Sequence, residues 1–178
     1  MTFKRYQIAI LSFAFGIFAV TSLLIFLTNQ REEPVKEPER EYSSIFIFFS
    51  DRVKDPKSLY CDMTYPVERA VSRMSNNKKS ELGELAYLAL MELLKGPAGY
   101  EIDNGYFTSI SDEAQVQRIA IESGVAYVDF SAIGGDFIGG SCKTQAVRAQ
   151  IEETLKQFPE IKEVVISVDG ETEEILQP

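Results

Sequence analysis

The glycine-rich stretch IGGDFIGGSCK, residues 133–143, combines residue types that can bind a phosphate or supply a nucleophile. A phosphate-binding loop has the pattern G-x-x-x-x-G-K-[ST], in which the lysine follows the second glycine directly. Gly135 and Gly140 have that glycine spacing, but Lys143 comes two residues late. Such a shift turns a side chain about 200° around a helix, away from the phosphate. The stretch therefore predicts a turn into a helix that is capped by Ser141, and not a nucleotide site.

The same stretch is also a candidate for recognition. Loops held on a rigid scaffold often carry binding residues, and backbone amides at a helix start can bind a carboxylate or another small anion. We therefore expect a binding loop, whose residues are Gly134, Gly135, Asp136, Phe137, Gly139, Gly140 and Ser141.

Two carboxylates bracket this loop, Asp129 and Asp136, with Ser131 and Ser141 near them. Glycoside hydrolysis uses two carboxyl groups about 5–9.5 Å apart, one of them with a raised pKa. A cell-wall glycan hydrolase based on Asp129 and Asp136 is therefore one hypothesis. The competing interpretation is a solvated strand end and a side chain that stabilises a turn; we favour this second interpretation and predict a non-catalytic protein.

The chain has two cysteines, Cys61 and Cys142. Cys142 lies at a predicted helix start, where the helix dipole can lower a thiol pKa and make the thiol reactive. The alternative is a disulfide with Cys61, which an extracytoplasmic location favours. A C-x-x-C redox pair does not occur in the sequence.

The sequence contains no histidine, which excludes a Ser-His-Asp triad, a Cys-His dyad and a histidine-based zinc site. Two cysteines are too few for a four-thiolate metal site. We therefore expect no metal and no cofactor. The formal net charge of -9 repels nucleic acid, so we predict no nucleic-acid partner.

Residues 8–27, IAILSFAFGIFAVTSLLIFL, form an uncharged apolar run of the length that spans a bilayer. We predict a transmembrane helix; a cleaved signal peptide is the alternative. Lys4 and Arg5 place residues 1–7 in the cytoplasm. Residues 28–43 are rich in charge and proline and predict a disordered linker. Residues 44–178 are then an extracytoplasmic domain of a single-pass cell-membrane protein.

Hydrophobic periodicity divides that domain into strands and helices. Ser80 is the predicted cap of the first helix, which Gly96 and Pro97 end. Its predicted apolar face consists of Leu82, Leu85, Ala86, Ala89, Leu90 and Leu93. Val147, Ile151, Leu155 and Phe158 predict one apolar stripe of a second helix. The segments are strands at 44–50 and 60–73, a helix at 80–97, an ambiguous segment at 105–111, a hairpin at 115–121 and 125–131, a helix at 142–159, a strand at 161–170 and an edge strand at 173–178. This order indicates an α+β fold: one small mixed sheet with two main helices packed on one face.

Several of these segments resemble one known family. They are LMELLKGP (90–97), GYFTSIS (105–111), IESGVAYVDFS (121–131), GGS (139–141), QIEETLKQFP (150–159) and VVISVDG (164–170). Together they are similar to the GerMN domain, a sporulation and spore-germination family of bacterial envelope proteins. The chain looks like a single-domain, membrane-anchored member of this GerM-like family.

The resemblance implies an α+β domain similar to the ring-building motifs of secretion and sporulation channels. It implies a role in envelope assembly without catalytic activity. The expected partners are cell-envelope proteins or peptidoglycan, with a second copy of the chain as a further option, and the N-terminal helix is expected to contact the membrane.

Overall fold

The computed structural model describes residues 20–24, 41–57, 59–73, 78–131 and 140–172. The chain divides into two units, Met1–Glu39 and Arg40–Pro178. In the first unit, residues 20–24 are helical. Within the described ranges, no helix has both the length and the apolar character needed to cross a bilayer. The predicted span, residues 8–27, lies mostly outside these ranges and stays a prediction.

The first sheet of the second unit has three strands in the order β2-β1-β3. They are β1 (Glu41–Asp51), β2 (Tyr65–Arg73) and β3 (Tyr106–Phe107), and both neighbours of β1 are antiparallel to it. β1 begins at Glu41, three residues before the predicted strand, because that residue already pairs with Arg73. Pro66 lies on the edge strand β2, as expected for a residue without an N–H group.

The second sheet also has three strands, in the order β4-β5-β6. β4 (Val116–Glu122) and β5 (Val125–Phe130) form the predicted hairpin, and β6 (Glu163–Val168) is parallel to β5. Ser123 and Gly124 have φ values of 51° and 85°. Positive φ at both central residues is typical of the tight turn whose twist suits a two-residue hairpin loop.

Among the described residues of the second unit, three helices accompany these strands: α1 (Lys78–Leu94), α2 (Gly99–Asp103) and α3 (Ser141–Lys156). Ser80 lies inside α1, so its prediction as the cap is wrong. Ser141 is likewise the first residue of α3 and not its cap, because Gly140 has extended backbone angles and its carbonyl accepts hydrogen bonds from the amides of Lys143 and Thr144. The predicted end of α1 is confirmed by Gly96, whose φ is 73°.

The prediction of a single sheet with helices on one face needs correction. The α+β class is right, but α1 and α3 contact each other, and each contacts strands of both sheets. The helices thus join two small sheets through one apolar core. Its fully buried members include the expected helical positions Leu90, Leu93, Ile151 and Leu155. The predicted edge strand at 173–178 lies outside the described residues.

Polar side chains of α3 and of Gln157, the residue that caps its end, cover the edge of β1 that β3 leaves open. Gln157 accepts a hydrogen bond from the Phe46 amide at 2.7 Å and donates one to the Phe46 carbonyl at 2.6 Å. The Thr154 hydroxyl accepts from the Phe48 amide at 3.1 Å. A side chain one turn earlier, Gln150, donates to the Ser50 hydroxyl at 3.0 Å. A helix therefore takes the place that a further strand would occupy, which is why the first sheet ends here.

Gly105, which follows α2, packs against the turn after β1. Its φ is 101°, and an added Cβ would lie 2.6 Å from Val53 Cγ2 and 3.2 Å from Asp51 Oδ1. The Gly105 carbonyl also accepts a 2.9 Å hydrogen bond from the Arg52 amide. Both the backbone angle and the close approach thus require glycine here.

We expect Gly105→Ala to lower the free energy of unfolding by about 1–3 kcal/mol, because the new methyl group adds backbone strain and forces the β1 turn away. Urea unfolding, followed by circular dichroism, measures this change in the free energy of unfolding. Gly83→Ala is the matched control: Gly83 lies inside α1 with open space around it, so alanine should stabilise by about 0.5–1 kcal/mol. An equal effect of both substitutions would contradict the packing described here.

Candidate functional site

The predicted binding loop is only partly described by the structure. Gly134, Gly135, Asp136, Phe137 and Gly139 lie outside the described residues. Gly140 and Ser141 are exposed at the start of α3. An added Cβ on Gly140 would meet no atom within 4 Å, so close packing does not require glycine there.

The two cysteines form a disulfide. Cys61 and Cys142 are joined with their Cα atoms 5.0 Å apart, and the bridge spans 81 residues of sequence. It ties the β1–β2 connection, residues 52–64, to the first turn of α3. The disulfide prediction is confirmed, and the alternative of a reactive thiol at Cys142 is wrong.

A cleft of about 230 Å³ opens beside the disulfide. Asp55 shapes its outer wall: the two carboxylate oxygens accept hydrogen bonds from the amides of Leu59 and Tyr60, each at 3.1 Å. Leu59, Tyr60 and Met63 remain exposed. The cleft wall is therefore a loop with an apolar outer surface, held by one carboxylate and one covalent bridge. The lining residues are Ser50, Asp51, Asp55, Tyr60, Cys61, Met63, Phe107, Ser109, Cys142, Lys143 and Ala146.

A second and larger depression, about 430 Å³, lies between the β1 turn, β2 and α2. We call it the tyrosine groove. It is lined by Asp51, Val53, Lys54, Pro66, Val67, Tyr100, Glu101, Asn104 and Tyr106.

Asp51 and Lys54 form one wall of the tyrosine groove. Asp51 is 4% exposed, and its Oδ1 accepts from the amides of Val53 and Lys54 at 2.7 and 3.1 Å. Burial acts to raise the pKa of Asp51, but the two amides and the Lys54 ammonium outweigh it and hold the pKa below its usual value. The Lys54 ammonium lies 3.4 Å from Asp51 Oδ2, 3.2 Å from the Tyr106 hydroxyl, and 4.4 Å from the centre of the Tyr65 ring. The carboxylate is thus charged and fully paired.

Glu101 and Arg69 support the floor of the groove. Glu101 is 2% exposed, and both of its carboxylate oxygens accept hydrogen bonds from the Arg69 guanidinium. Oε2 also accepts from the Ala98 amide at 2.7 Å, which fixes the start of α2. The guanidinium is the main reason why the pKa of Glu101 is lowered to about 2. The pair holds α2, and with it the exposed Tyr100, against β2.

Asp129, the described member of the carboxylate pair, is tied to its own sheet. Its Oδ1 accepts hydrogen bonds from the Ser167 hydroxyl at 2.6 Å and the Gly170 amide at 2.9 Å. These bonds fasten β5 to the end of β6. The other candidate acid, Asp136, lies outside the described residues. In the parts of the chain that the structure describes, no three acidic, cysteine or histidine side chains cluster to hold a metal ion.

The family model "Germane: Sporulation and spore germination" matches residues 48–174, well over half of the chain. The chain belongs to the Germane family. The matched range contains the last four residues of β1, the strands β2 to β6, the helices α1 to α3 and the disulfide. The family resemblance inferred from the sequence motifs is therefore confirmed.

The solved structures that are similar to this Germane-family chain include the following three. The tandem GerMN domains of the sporulation protein GerM from Bacillus subtilis are 18% identical, with a TM-score of 0.46; the match covers 83% of this chain and 45% of that one. The first GerMN domain of the same protein is 19% identical, with a TM-score of 0.45 and coverage of 73% and 85%. A putative lipoprotein from Clostridium perfringens is 13% identical, with a TM-score of 0.43 and coverage of 78% and 82%. No curated protein matched the chain. The Germane chain thus spans less than half of the tandem-domain structure.

Sequence reasoning missed the tyrosine groove of this Germane domain. Its lining comes from three separate segments, 51–54, 66–67 and 100–106, which only the fold brings together. The sequence contained one weak signal: Tyr100 and Tyr106 lie on either side of the mostly polar segment EIDNG, residues 101–105.

We expect removal of the disulfide to destabilise the Germane domain. Replacing both Cys61 and Cys142 by alanine should lower the free energy of unfolding by about 2–4 kcal/mol, because the unfolded chain loses a long covalent loop. Urea unfolding measures the change. In the parent protein, thiol titration after denaturation without reductant should find no free thiol; two free thiols would contradict the bridge.

We expect Glu101→Gln to lower the free energy of unfolding at pH 7 by about 3 kcal/mol, because it removes the buried carboxylate that both arms of the partly buried Arg69 guanidinium bind and leaves only Glu92, at 3.9 Å, as its acidic neighbour. The pKa of Glu101 falls from 4.5 to about 2 in the fold, so its contribution is complete above pH 4.5 and is lost as the pH falls toward 2. In urea unfolding, the free energies of unfolding of the parent and the variant should therefore converge as the pH falls below 4.5.

Glu152→Gln is the control for that substitution. Glu152 pairs with Arg148 and Lys156 on α3, at 2.6 and 2.5 Å, and both cations are partly solvated. Loss of the Glu152 charge should lower the free energy of unfolding by less than about 1 kcal/mol. If the difference in unfolding free energy between the parent and Glu101→Gln does not change with pH, the carboxylate charge is not its cause.

Proposed function

We propose that this chain is a membrane-anchored, extracytoplasmic binding and assembly module of the bacterial cell envelope. It has no catalytic activity and binds envelope proteins or cell-wall material. Its Germane family, described by sporulation and spore germination, supports the envelope setting. The predicted membrane span at residues 8–27, with Lys4 and Arg5 before it, supports the topology.

The observation that carries this proposal is the Cys61–Cys142 disulfide. Structural disulfides persist in oxidising compartments and are rare in the cytoplasm, where thiols are kept reduced. With both cysteines of the chain in one bridge, the domain fits the outer side of the membrane. This agrees with the orientation that the basic N-terminal residues predict.

The candidate functional residues also support binding over catalysis. The Asp129 carboxylate accepts hydrogen bonds from the Ser167 hydroxyl and the Gly170 amide, which gives it a structural role. Glu101 and Asp51, the buried acids of the tyrosine groove, have lowered pKa values because each is paired with a cation and accepts hydrogen bonds from the backbone, one amide for Glu101 and two for Asp51. A general acid for glycoside cleavage needs a raised pKa, so neither acid suits that role.

Two experiments in intact cells test this proposal: one determines on which side of the membrane the domain lies, and the other captures its binding partners. After the wall is removed, protease added outside should digest the domain and leave a cytoplasmic marker protein intact. A photo-crosslinking residue at position 141, in the predicted binding loop, should then capture envelope protein or wall glycan. The same residue at position 87, an exposed site on α1, is the matched control for accidental capture.

Two outcomes would contradict the proposal. One is a domain that resists protease in intact cells and is cut only after lysis, which would place it in the cytoplasm. The other is cleavage of purified cell-wall glycan by the parent chain that disappears with Asp129→Asn or Asp136→Asn, which would make the protein the hydrolase considered above.

A further inference from the structure

The tyrosine groove has the composition of a ligand site that is already formed. Pocket walls that combine aromatic rings with a few polar groups are typical of small-molecule and glycan sites. In this groove Tyr100 and Val53 are 64% and 70% exposed, and both line the same depression as Pro66 and Tyr106. Tyrosine offers a large apolar face with a polar end and little side-chain entropy to lose on binding. The groove therefore presents an aromatic surface to solvent.

The charges in and under the groove are paired with one another. Asp51 is bound to Lys54, and Glu101 to Arg69. The Lys54 ammonium also lies 4.4 and 5.0 Å from the ring centres of Tyr65 and Tyr106, which places a cation of the chain itself on these aromatic faces. A cationic ligand would have to displace Lys54 to use either ring. An anionic ligand would meet a chain of net charge -9.

The polar groups that remain are neutral and suited to hydroxyl groups. The Asn104 amide donates to the Tyr100 carbonyl at 2.7 Å, and its side-chain oxygen makes no hydrogen bond to the described residues. The Tyr106 hydroxyl accepts from Lys54, so its own proton is available for donation. A hydroxyl group can both donate and accept, and so it can pair with each of these groups.

We propose that the tyrosine groove binds an uncharged stretch of a polysaccharide chain. Tyr100 stacks on the apolar face of a sugar ring, and Asn104 and Tyr106 hydrogen-bond to its hydroxyl groups. This inference rests on the proposed function and deepens it, since it assigns cell-wall glycan as the partner of one named surface. Rigidity favours binding: the Glu101–Arg69 pair fixes α2 before the ligand arrives, so little ordering accompanies association.

The test uses the full chain in lipid nanodiscs, because sugar detergents would compete for the groove. The probe is a neutral tetramer of β-1,4-linked N-acetylglucosamine, titrated by calorimetry and by tyrosine fluorescence. The chain has no tryptophan and eight tyrosines, so its emission comes from tyrosine, and Tyr100 and Tyr106 are the tyrosines that line the groove. We expect saturable binding that hardly changes with salt, since no ion pair forms with the ligand.

Three variants separate stacking from other effects. Tyr100→Ala should weaken binding about tenfold or more, whereas Tyr100→Phe, which keeps the ring and loses the hydroxyl, should stay within about threefold of the parent. Tyr87→Ala is the control, because Tyr87 is an exposed tyrosine on α1 outside the groove lining. Circular dichroism and an intact disulfide verify that each variant is folded.

The following results would overturn the inference: no binding by the parent, equal affinity of the parent and Tyr100→Ala, or tighter binding of an anionic oligogalacturonate than of the neutral tetramer. Loss of binding in Tyr87→Ala alone would place the site elsewhere. If the domain lies outside the cell and captures envelope protein but does not bind the tetramer, the proposed function stands and the groove assignment fails. If the domain lies in the cytoplasm, the proposed function fails whatever the groove binds.

Discussion

The hydrogen bonds between α3 and the open edge of β1 are the constraint on which the rest of the domain depends. β1 belongs to the first sheet, whereas α3 connects β5 to β6 in the second sheet. Gln150 is fully buried, and its side chain bonds to Ser50 and to Thr108. A buried amide without partners costs about 1–3 kcal/mol, so these bonds fix the angle and register at which the helix meets the strand.

The same helix has two different buried stripes. Val147, Ile151 and Leu155 form the apolar one, and Gln150 with Thr154 belongs to the polar one that meets β1. The first stripe supplies nonspecific attraction through the apolar area it removes from water. The second supplies specificity, because a shift of the helix by one residue would leave the amide and hydroxyl groups without partners. The tyrosine groove and the cleft beside the disulfide both depend on this register, since both are lined by residues at the end of β1.

The sequence predicted those parts of the fold that local pattern determines. The apolar stripes of α1 and α3, the turn at Gly124 and the helix end at Gly96 follow from spacing and from glycine's freedom at positive φ. The pairing of Cys61 with Cys142 followed from there being two cysteines in a domain predicted to lie outside the cytoplasm. The caps were misplaced, since α1 begins two residues before Ser80 and α3 begins at Ser141 itself; serine favours a cap without requiring one.

Long-range pairing was beyond sequence reasoning. Gln150, Thr154 and Gln157 have the composition of a solvated helix face, and nothing near them in sequence shows that strand β1 is their partner. The division into two sheets follows from that partnership and so was missed. The tyrosine groove was missed for a similar reason: Tyr100 and Lys54 meet only after β1, β2 and α2 have packed together.

The dependence of β1 on α3 also has a consequence for the order of events during synthesis. The partners Phe46 and Gln157 are 111 residues apart, so at about 5–20 residues per second a ribosome needs roughly 5–20 s to supply the second after the first. Throughout that interval one edge of β1 has unpaired backbone groups and an apolar strand beside them. The nascent chain is therefore exposed to aggregation until its last quarter emerges, and a holding chaperone or a coupled export machinery would have most effect in that window.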